Sequence, residues 1–298
     1  MKLLVLGACG QVGWELARSL LPLGEVVALD RGGCDLSRPE TLPDVIARQA
    51  PDVIVNAAAY TAVDKAEADE PLATTINGVA PGVLAGLARR SGALLLHYST
   101  DYVFDGSKPA PYVEDDPVAP LNAYGRSKLA GERAIRESGC DHLILRTTWV
   151  FAARGGNFVR TMLRLGAERE RLRVVADQFG APTWARNIAD ATAQIVAGAM
   201  RERAVGAFAS DTLHLTSAGA TSWHGFAEAI FAMARERFPE GSLKVADVEP
   251  IPSAAYPTPA ARPVNSRLSG ERLAQRFGLR LPPWQQALSL CLDELSGR

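Results

Sequence analysis

The sequence predicts an α/β fold: a doubly wound parallel sheet with a smaller C-terminal α/β substrate-binding domain. Three observations carry that prediction. Short runs that are apolar throughout alternate with longer segments of helical periodicity across the first half, as expected of parallel strands covered on both faces by crossover helices. Three glycines, Gly7, Gly10 and Gly13, follow the first apolar run where a strand would turn into a helix. Apolar residues make up 47% of the 298, enough to bury a sizeable core and to exclude a disordered chain.

The first strand covers residues 2–6, and a helix follows over 12–21. A second strand is expected at 25–30 (EVVALD), a helix at 39–49 and a third strand at 52–58 (DVIVNAA). A helix over 76–90 leads to a fourth strand at 93–99, and a helix starting near Tyr124 leads to a fifth at 142–148 (HLILRTT). Right-handed crossovers then wind the sheet in both directions. The second half is less regular, with helical patterns at 157–166, 187–200 and 224–237. Residues 249–263, EPIPSAAYPTPAARP, hold too much proline for a helix or a central strand. They read either as a surface linker or as an ordered loop over a ligand. The expected division is 1–150 for dinucleotide binding and 151–298 mainly for substrate, with some segments returning to the first unit.

With 32 basic and 33 acidic residues the net charge is −1, without the basic excess of a nucleic-acid binder. No apolar run approaches the length of about 18 residues that a membrane span needs. The start, MKLLVLGACG, is too short in its apolar part for a signal peptide and reads as a strand. Cys9, Cys34, Cys140 and Cys291 form no CxxC pair, which points to free thiols in a reducing cytoplasm. Histidines at 97, 142, 214 and 224 have no zinc-ligand spacing.

Three motifs carry chemistry. In Gly7-Ala-Cys-Gly10-Gln-Val-Gly13 the glycines permit a tight turn and bring backbone N–H groups to a pyrophosphate at a helix N-terminus, as in Rossmann-type folds. The spacing is GxxGxxG, not the common GxGxxG. Asp30 ends the second strand where an acid would hold an adenosine ribose, while the adjacent Arg31 suits a 2′-phosphate, so NADH and NADPH both stay open. Asp35 and Leu36 follow where they can flank the adenine. Second, Tyr124 and Lys128 stand four residues apart on one helical face. A phenol with a reference pKa of about 10 needs help to exchange protons at neutral pH, and a nearby ammonium favours its phenolate. Third, in HYSTDYVF at 97–104 polar residues replace apolar ones at the C-terminal end of a strand, the end that faces the ligand crevice. Thr100 can bond a substrate oxygen there and Asp101 can accept from a hydroxyl.

Together these motifs resemble the extended short-chain dehydrogenase/reductase family. Within it the chain is similar to the dTDP-4-dehydrorhamnose reductases, through GQVGWEL at 10–16, PDVIVNAAAYTAVDKAE at 51–67, PLNAYGRSKLAGE at 120–132, LRTTWVF at 145–151, DQFGAPT at 177–183 and AYPTPAARPVNSRL at 255–268. The resemblance implies a hydride passed from NADPH or NADH to the C4 ketone of dTDP-4-dehydro-L-rhamnose. Tyr124 would give the proton, Lys128 would lower the phenol pKa and hold the nicotinamide ribose, and Thr100 would bond the same oxygen. Gly7, Gly10, Gln11 and Val12 would hold the pyrophosphate, with Asp30, Asp35 and Leu36 around adenosine. Ala58, Ala59, Tyr60, Thr61 and Tyr98 would line the nicotinamide half, Tyr60 replacing the family's usual histidine. Trp149 would pack on the sugar, and Arg262 is the candidate for the substrate diphosphate. Some members bind Mg²⁺ through carboxylates at three places. Glu15 and Glu294 fit two of them, but Arg186 stands at the third, which argues against the metal. The implied partner is a small-molecule sugar nucleotide, with no nucleic acid or membrane, and the chain is a monomer or homodimer. Two other roles of the same superfamily are a non-catalytic subunit of a methionine adenosyltransferase and a sugar-nucleotide epimerase or dehydratase that keeps its NAD⁺.

Overall fold

Five apolar runs form strands of one sheet in the computed structural model, which describes residues 1–297. These are β1 (Lys2–Leu6), β2 (Glu25–Leu29), β3 (Val53–Asn56), β4 (Leu94–Thr100) and β5 (His142–Thr147). A sixth strand, β10 (Asp211–His214), arrives from the second half and pairs with β5. The order is β10-β5-β4-β3-β1-β2, and every pairing is parallel. After β2 has been laid on one side of β1, the chain crosses to place β3 on the other. That reversal opens a crevice at the C-terminal ends of β1 and β3, where ligands bind in open sheets of this kind.

Successive strand residues face opposite sides of the sheet, and the two sides bury different helices. Leu3, Val5, Val53, Leu94 and Leu143 pack under α1 (Gln11–Ser19) and α8 (Ala185–Ala204), through Leu16, Ile188, Ile195 and Val196. Leu4, Leu6, Ile54, Leu95 and Ile144 pack under α2 (Leu42–Gln49), α5 (Ala80–Ser91) and α6 (Ala123–Ser138). The expected helix at 76–90 begins earlier. α3 (Val63–Ala68) and α4 (Glu70–Thr74) run into a π-helical turn at Thr75–Val79 before α5. By length and composition Glu70–Ser91 is apolar enough to cross a membrane; here Leu84, Ala85, Leu87 and Ala88 lie in the core of the sheet's second face.

A third core lies beyond the sheet. α7 (Phe158–Glu168), α9 (Trp223–Arg235) and α11 (Trp284–Ser296) bury Val159, Phe226, Ile230, Phe231 and Leu288 together. Three two-stranded pairs frame it: β6 (Val150–Phe151) with β9 (Thr183–Trp184), β7 (Arg171–Val175) with β12 (Asp247–Ile251), and β8 (Phe179–Gly180) with β11 (Thr221–Ser222). Pro250 sits within β12, which a two-stranded pair tolerates and a central strand would not. A short helix, α10 (Glu271–Phe277), adds Leu273 to the core beneath the main sheet.

Candidate active site

The turn after β1 is built by glycine. Gly7 has φ +87°, and a Cβ there would lie 2.8 Å from the backbone nitrogen of Ala58. A Cβ on Gly13 would lie 2.0 Å from the Gly7 carbonyl oxygen, so the first turn of α1 can sit against the loop only because that position is bare. The turn forms one wall of a cavity of about 620 Å³ at the C-terminal ends of β1 to β4. Gly7, Gly10, Gln11, Val12, Asp30, Asp35, Leu36, Ala58, Ala59, Tyr60, Thr61, Tyr98, Tyr124 and Lys128 all line it. The sequence motifs for a dinucleotide thus converge on one cleft.

Some of these side chains are already engaged. Asp30 Oδ1 accepts from the N–H of Gly32 (2.9 Å) and of Gly33 (3.2 Å), closing its own turn. Asp35 accepts from Ser37 at Oγ (2.7 Å) and N (2.9 Å), which with the neighbouring Arg31 holds its carboxyl below the usual range. The 57–60 loop is clamped from behind: Asn77 in the π turn accepts from Tyr60 N–H (2.8 Å) and donates to Tyr60 O (3.0 Å). Gly155 and Gly156 close the far side of the cleft, where Asn157 donates to Gln11 Oε1 at 2.9 Å.

The helix carrying Tyr124 and Lys128 starts sharply. Asn122 caps α6 by accepting from Gly125 N–H at 2.8 Å. Tyr124 lies on the cleft wall, and burial pushes its pKa well up while Thr100 pulls it back. Lys128 is buried, with Nζ donating to the Tyr98 carbonyl (2.6 Å) and standing 3.1 Å from His97 Nε2. Burial lowers its pKa to about 8, against the opposing charge of Glu132. The expected acidification of the phenol by Lys128 is not what this arrangement produces. The groups acting on Tyr124 are burial, Thr100, Asp101 and Tyr102, because the lysine nitrogen is turned to β4.

Asp101 also differs from expectation. It is buried beneath the site and lines neither large cavity. It accepts from Thr100 at 3.1 Å, with Ser266 and Thr148 beside it, and burial raises its pKa to about 6. Its place is behind Thr100, holding that hydroxyl. Thr100 in turn accepts from Tyr102 N–H at 3.2 Å.

A second cavity, of about 770 Å³, opens beside the first and is lined by Asp64, Tyr102, Trp223, Tyr256, Arg169 and Arg262, among others. Tyr102 and Tyr124 meet edge to face, ring centroids 5.6 Å apart, so Tyr124 stands where the two cavities adjoin. The proline-rich segment is an ordered wall of this second space, through Ile251, Ala255, Tyr256, Thr258 and Arg262; the linker reading is set aside. Arg262 is not free, since Nη2 pairs with Asp64 Oδ2 at 2.7 Å. Trp149 lines neither cavity. It adopts a positive φ of 46°, uncommon for a bulky residue, and stacks on Trp223 at 3.5 Å between centroids. Trp223 is the ring that faces the cavity, with Trp149 behind it.

At the expected metal position Arg186 binds both carboxylates, Nε to Glu15 Oε2 at 3.2 Å and Nη2 to Glu294 Oε2 at 3.0 Å. A guanidinium between the two acids does not fit a divalent ion.

This geometry can be set beside known proteins. The model of the RmlD substrate binding domain matches residues 1–296. The chain belongs to that family. A dTDP-4-dehydrorhamnose reductase of Burkholderia thailandensis is 61% identical over 295 residues, 99% of each chain. One from Escherichia coli K12 is 46% identical over 300 residues, 99% of this chain and 98% of the relative. The crystal structure of dTDP-4-dehydrorhamnose reductase from Bacillus anthracis in complex with NADP matches with a TM-score of 0.86 at 34% identity, covering 98% of this chain and 99% of that one.

Within this RmlD-family site, sequence reasoning missed Asp64, Tyr102 and Trp223. Asp64 and Tyr102 lie inside quoted motifs, but no spacing rule singles them out. Trp223 opens α9 and reaches the site only through the packing of the third core.

Proposed function

We propose that this chain reduces the C4 ketone of dTDP-4-dehydro-L-rhamnose to dTDP-L-rhamnose with NADPH or NADH. The observation that carries the reading is Tyr124 at the junction of a cleft suited to a dinucleotide and a second cavity rich in aromatic rings and guanidinium groups. The first cleft fits the cofactor because Gly7 and Gly10, both without side chains, line it where the turn leads into the N-terminus of α1. When bound, the cofactor supplies the hydride.

The residues of the chain do the rest. Gly10, Gln11 and Val12 hold the pyrophosphate at the N-terminus of α1: the N–H groups of Gln11 and Val12 have no partner within the helix, while Gly10, whose own N–H closes the turn on the Gly7 carbonyl at 2.9 Å, lets the backbone approach. The raised pKa of Tyr124 keeps the phenol protonated at neutral pH, the form needed to donate to the alkoxide oxygen as it forms. Thr100 bonds the same oxygen, steadied from below by Asp101. Lys128 reaches the nicotinamide ribose. In the second cavity Trp223, backed by Trp149, gives the apolar face of the pyranose a flat partner, and Arg262 with Arg169 meets the diphosphate by planar, two-pronged donation. Its four cysteines, none of them in a disulfide, support the reading of a chain that works in a reducing cytoplasm.

The test is consumption of NADPH by the purified chain, followed by absorbance, with dTDP-4-dehydro-L-rhamnose and separately with the matching GDP-linked 4-keto sugar. Turnover with the first and little with the second is expected. No oxidation of NADPH with the dTDP sugar would overturn the reading.

A further inference from the structure

The proline-rich segment crosses the second cavity between two anchors. At its start Ser253 is held by Asp177, which accepts from its N–H at 2.9 Å and from its Oγ at 2.6 Å, and by Gln178 at 2.9 Å. The middle is an exposed arch from Ala254 to Pro257. Tyr256, at 61% exposure, is part of it although it lines the cavity. At the far end three successive residues are fastened to the sheet side. Ala260 donates its N–H to Asp64 Oδ1 at 3.2 Å. The Ala261 carbonyl accepts at 2.8 Å from Nδ2 of Asn122, the residue that caps the helix of Tyr124. Arg262 Nη2 pairs with Asp64 Oδ2 at 2.7 Å.

One carboxylate thus takes a donor on each oxygen, from residues 196 and 198 positions further along the chain. Pro257, Pro259 and Pro263 have no N–H, so the Ala260 amide is one of few main-chain donors by which this end can be tied down. With side-chain exposure of 19% for Arg262 and 41% for Asp64, the ion pair itself adds little stability. Its consequence is where the guanidinium stands. Nη1 of Arg262 is 3.5 Å from the Tyr102 hydroxyl, and the head lies 5.9 Å from the Tyr102 ring centroid, on the aromatic wall beside Tyr124. A guanidinium carries more donors than these contacts use. A long side chain that is held in place before its ligand arrives gives up less freedom on binding. The negative charge of Asp64 is opposed by the head it holds, so a diphosphate meets a placed fork and not a bare carboxylate.

We propose that Asp64 is a positioning residue for the sugar nucleotide: it docks the end of the proline-rich segment and holds the Arg262 fork in place for the diphosphate. Asp64 opens α3 just after Thr61, which lines the first cleft, so this one side chain fastens the wall of the second cavity to the loop beside the cofactor. The inference rests on the reading of the second cavity as the diphosphate site, but its test does not require turnover.

That test is calorimetric titration with dTDP of the full chain as wild type, Asp64→Asn, Arg262→Ala and the double variant. An asparagine can accept from one of the two donors but turns its own N–H groups toward the other. With Arg262 present, Asp64→Asn should weaken dTDP binding about five- to tenfold. In the Arg262→Ala background it should have no further effect, because a residue that acts through another loses its influence once that one is gone. The Kd for NADPH should stay within about twofold of wild type. Equal weakening in both backgrounds would show that Asp64 supports the fold or meets the ligand itself. Unchanged or tighter binding in Asp64→Asn would show that the carboxylate places nothing or competes with the diphosphate; each of these results overturns the proposal. Should Asp64→Asn fail to fold, hydrogen exchange in the ligand-free wild type decides: the Ala260 amide should be protected, and exchange as fast as that of Tyr256 would overturn the docking. A chain that shows the expected cycle yet reduces no sugar nucleotide would sink the proposed function and leave this inference standing. One that binds NADPH but no dTDP would overturn both.

Discussion

Glu132 is fully buried on α6, one turn beyond Lys128, and receives both prongs of the Arg146 guanidinium, at 2.8 and 2.7 Å. Burial alone would raise its pKa, but the bonds and charge of Arg146 outweigh that and hold it at about 2. The pair fastens the helix that bears Tyr124 to the sheet. Glu132→Gln should therefore cost on the order of 3–5 kcal/mol at neutral pH, the scale for removing one member of a buried pair. A carboxylate whose folded pKa lies below its unfolded value contributes fully above the unfolded value, 4.5, and loses that contribution as pH falls through about 2. Urea unfolding at pH 7 and at steps below 4.5 should show the two proteins converging as acidity increases. A gap that stays constant would mean that the charge of Glu132 is not what holds α6. At this scale the sequence is legible where the chemistry is local. Tyr124 and Lys128 declare themselves because four residues make one helical turn. His97 gives no such local signal, since its partners Asn56 and Lys128 lie 41 and 31 residues away in the chain.

Among the elements, those with strong patterns fall close to where the periodicity places them, while short or interrupted ones do not. β10 is only four residues, two of them Asp211 and His214, so it lacks the β-branched run that marks a strand. The helix expected at 76–90 is preceded by α4 and the π turn. That turn has no signature in a 3.6-residue period, yet it puts Asn77 in place to clamp the Tyr60 backbone; π turns are frequent at functional sites for such reasons. The glycine turn and α1 give the sharpest test at this scale. Gly13→Ala places a methyl group 2.0 Å from the Gly7 carbonyl oxygen, and backbone on both sides must separate. The expected cost is about 1–3 kcal/mol of stability, with a loss of NADPH affinity that exceeds any change in affinity for the sugar nucleotide. Thermal unfolding and titration with each ligand would check this. An unaffected NADPH titration would mean that the turn does not carry the pyrophosphate.

For the whole molecule, the two cavities exist because the second half both returns to the sheet and departs from it. α8 and β10 complete the parallel layer, while α7, α9 and α11 build a separate core whose edge supplies Trp223 and the arginines. Which helix presents an aromatic ring to the second cavity is not legible in the sequence, because that depends on packing between segments more than a hundred residues apart. The cysteines report on the first cavity. Cys34, Cys140 and Cys291 are buried, with thiols pushed up by burial, to about 11 for Cys34 and about 12 for Cys291. Cys9 is exposed and lines the cleft. Iodoacetamide should thus modify one thiol in the native chain, identified as Cys9 by peptide mass, and saturating NADPH should slow the reaction. An unchanged rate would place the cofactor elsewhere. The central claim is that the phenol at the junction of the two cavities gives the proton, and Tyr124→Phe tests it most directly, since the ring and its contact with Tyr102 remain. Steady-state oxidation of NADPH with dTDP-4-dehydro-L-rhamnose should fall in kcat by at least ~10²-fold, the usual scale for a positioned acid, while the Kd for NADPH stays within about twofold. Near-normal kcat in this variant would contradict the account.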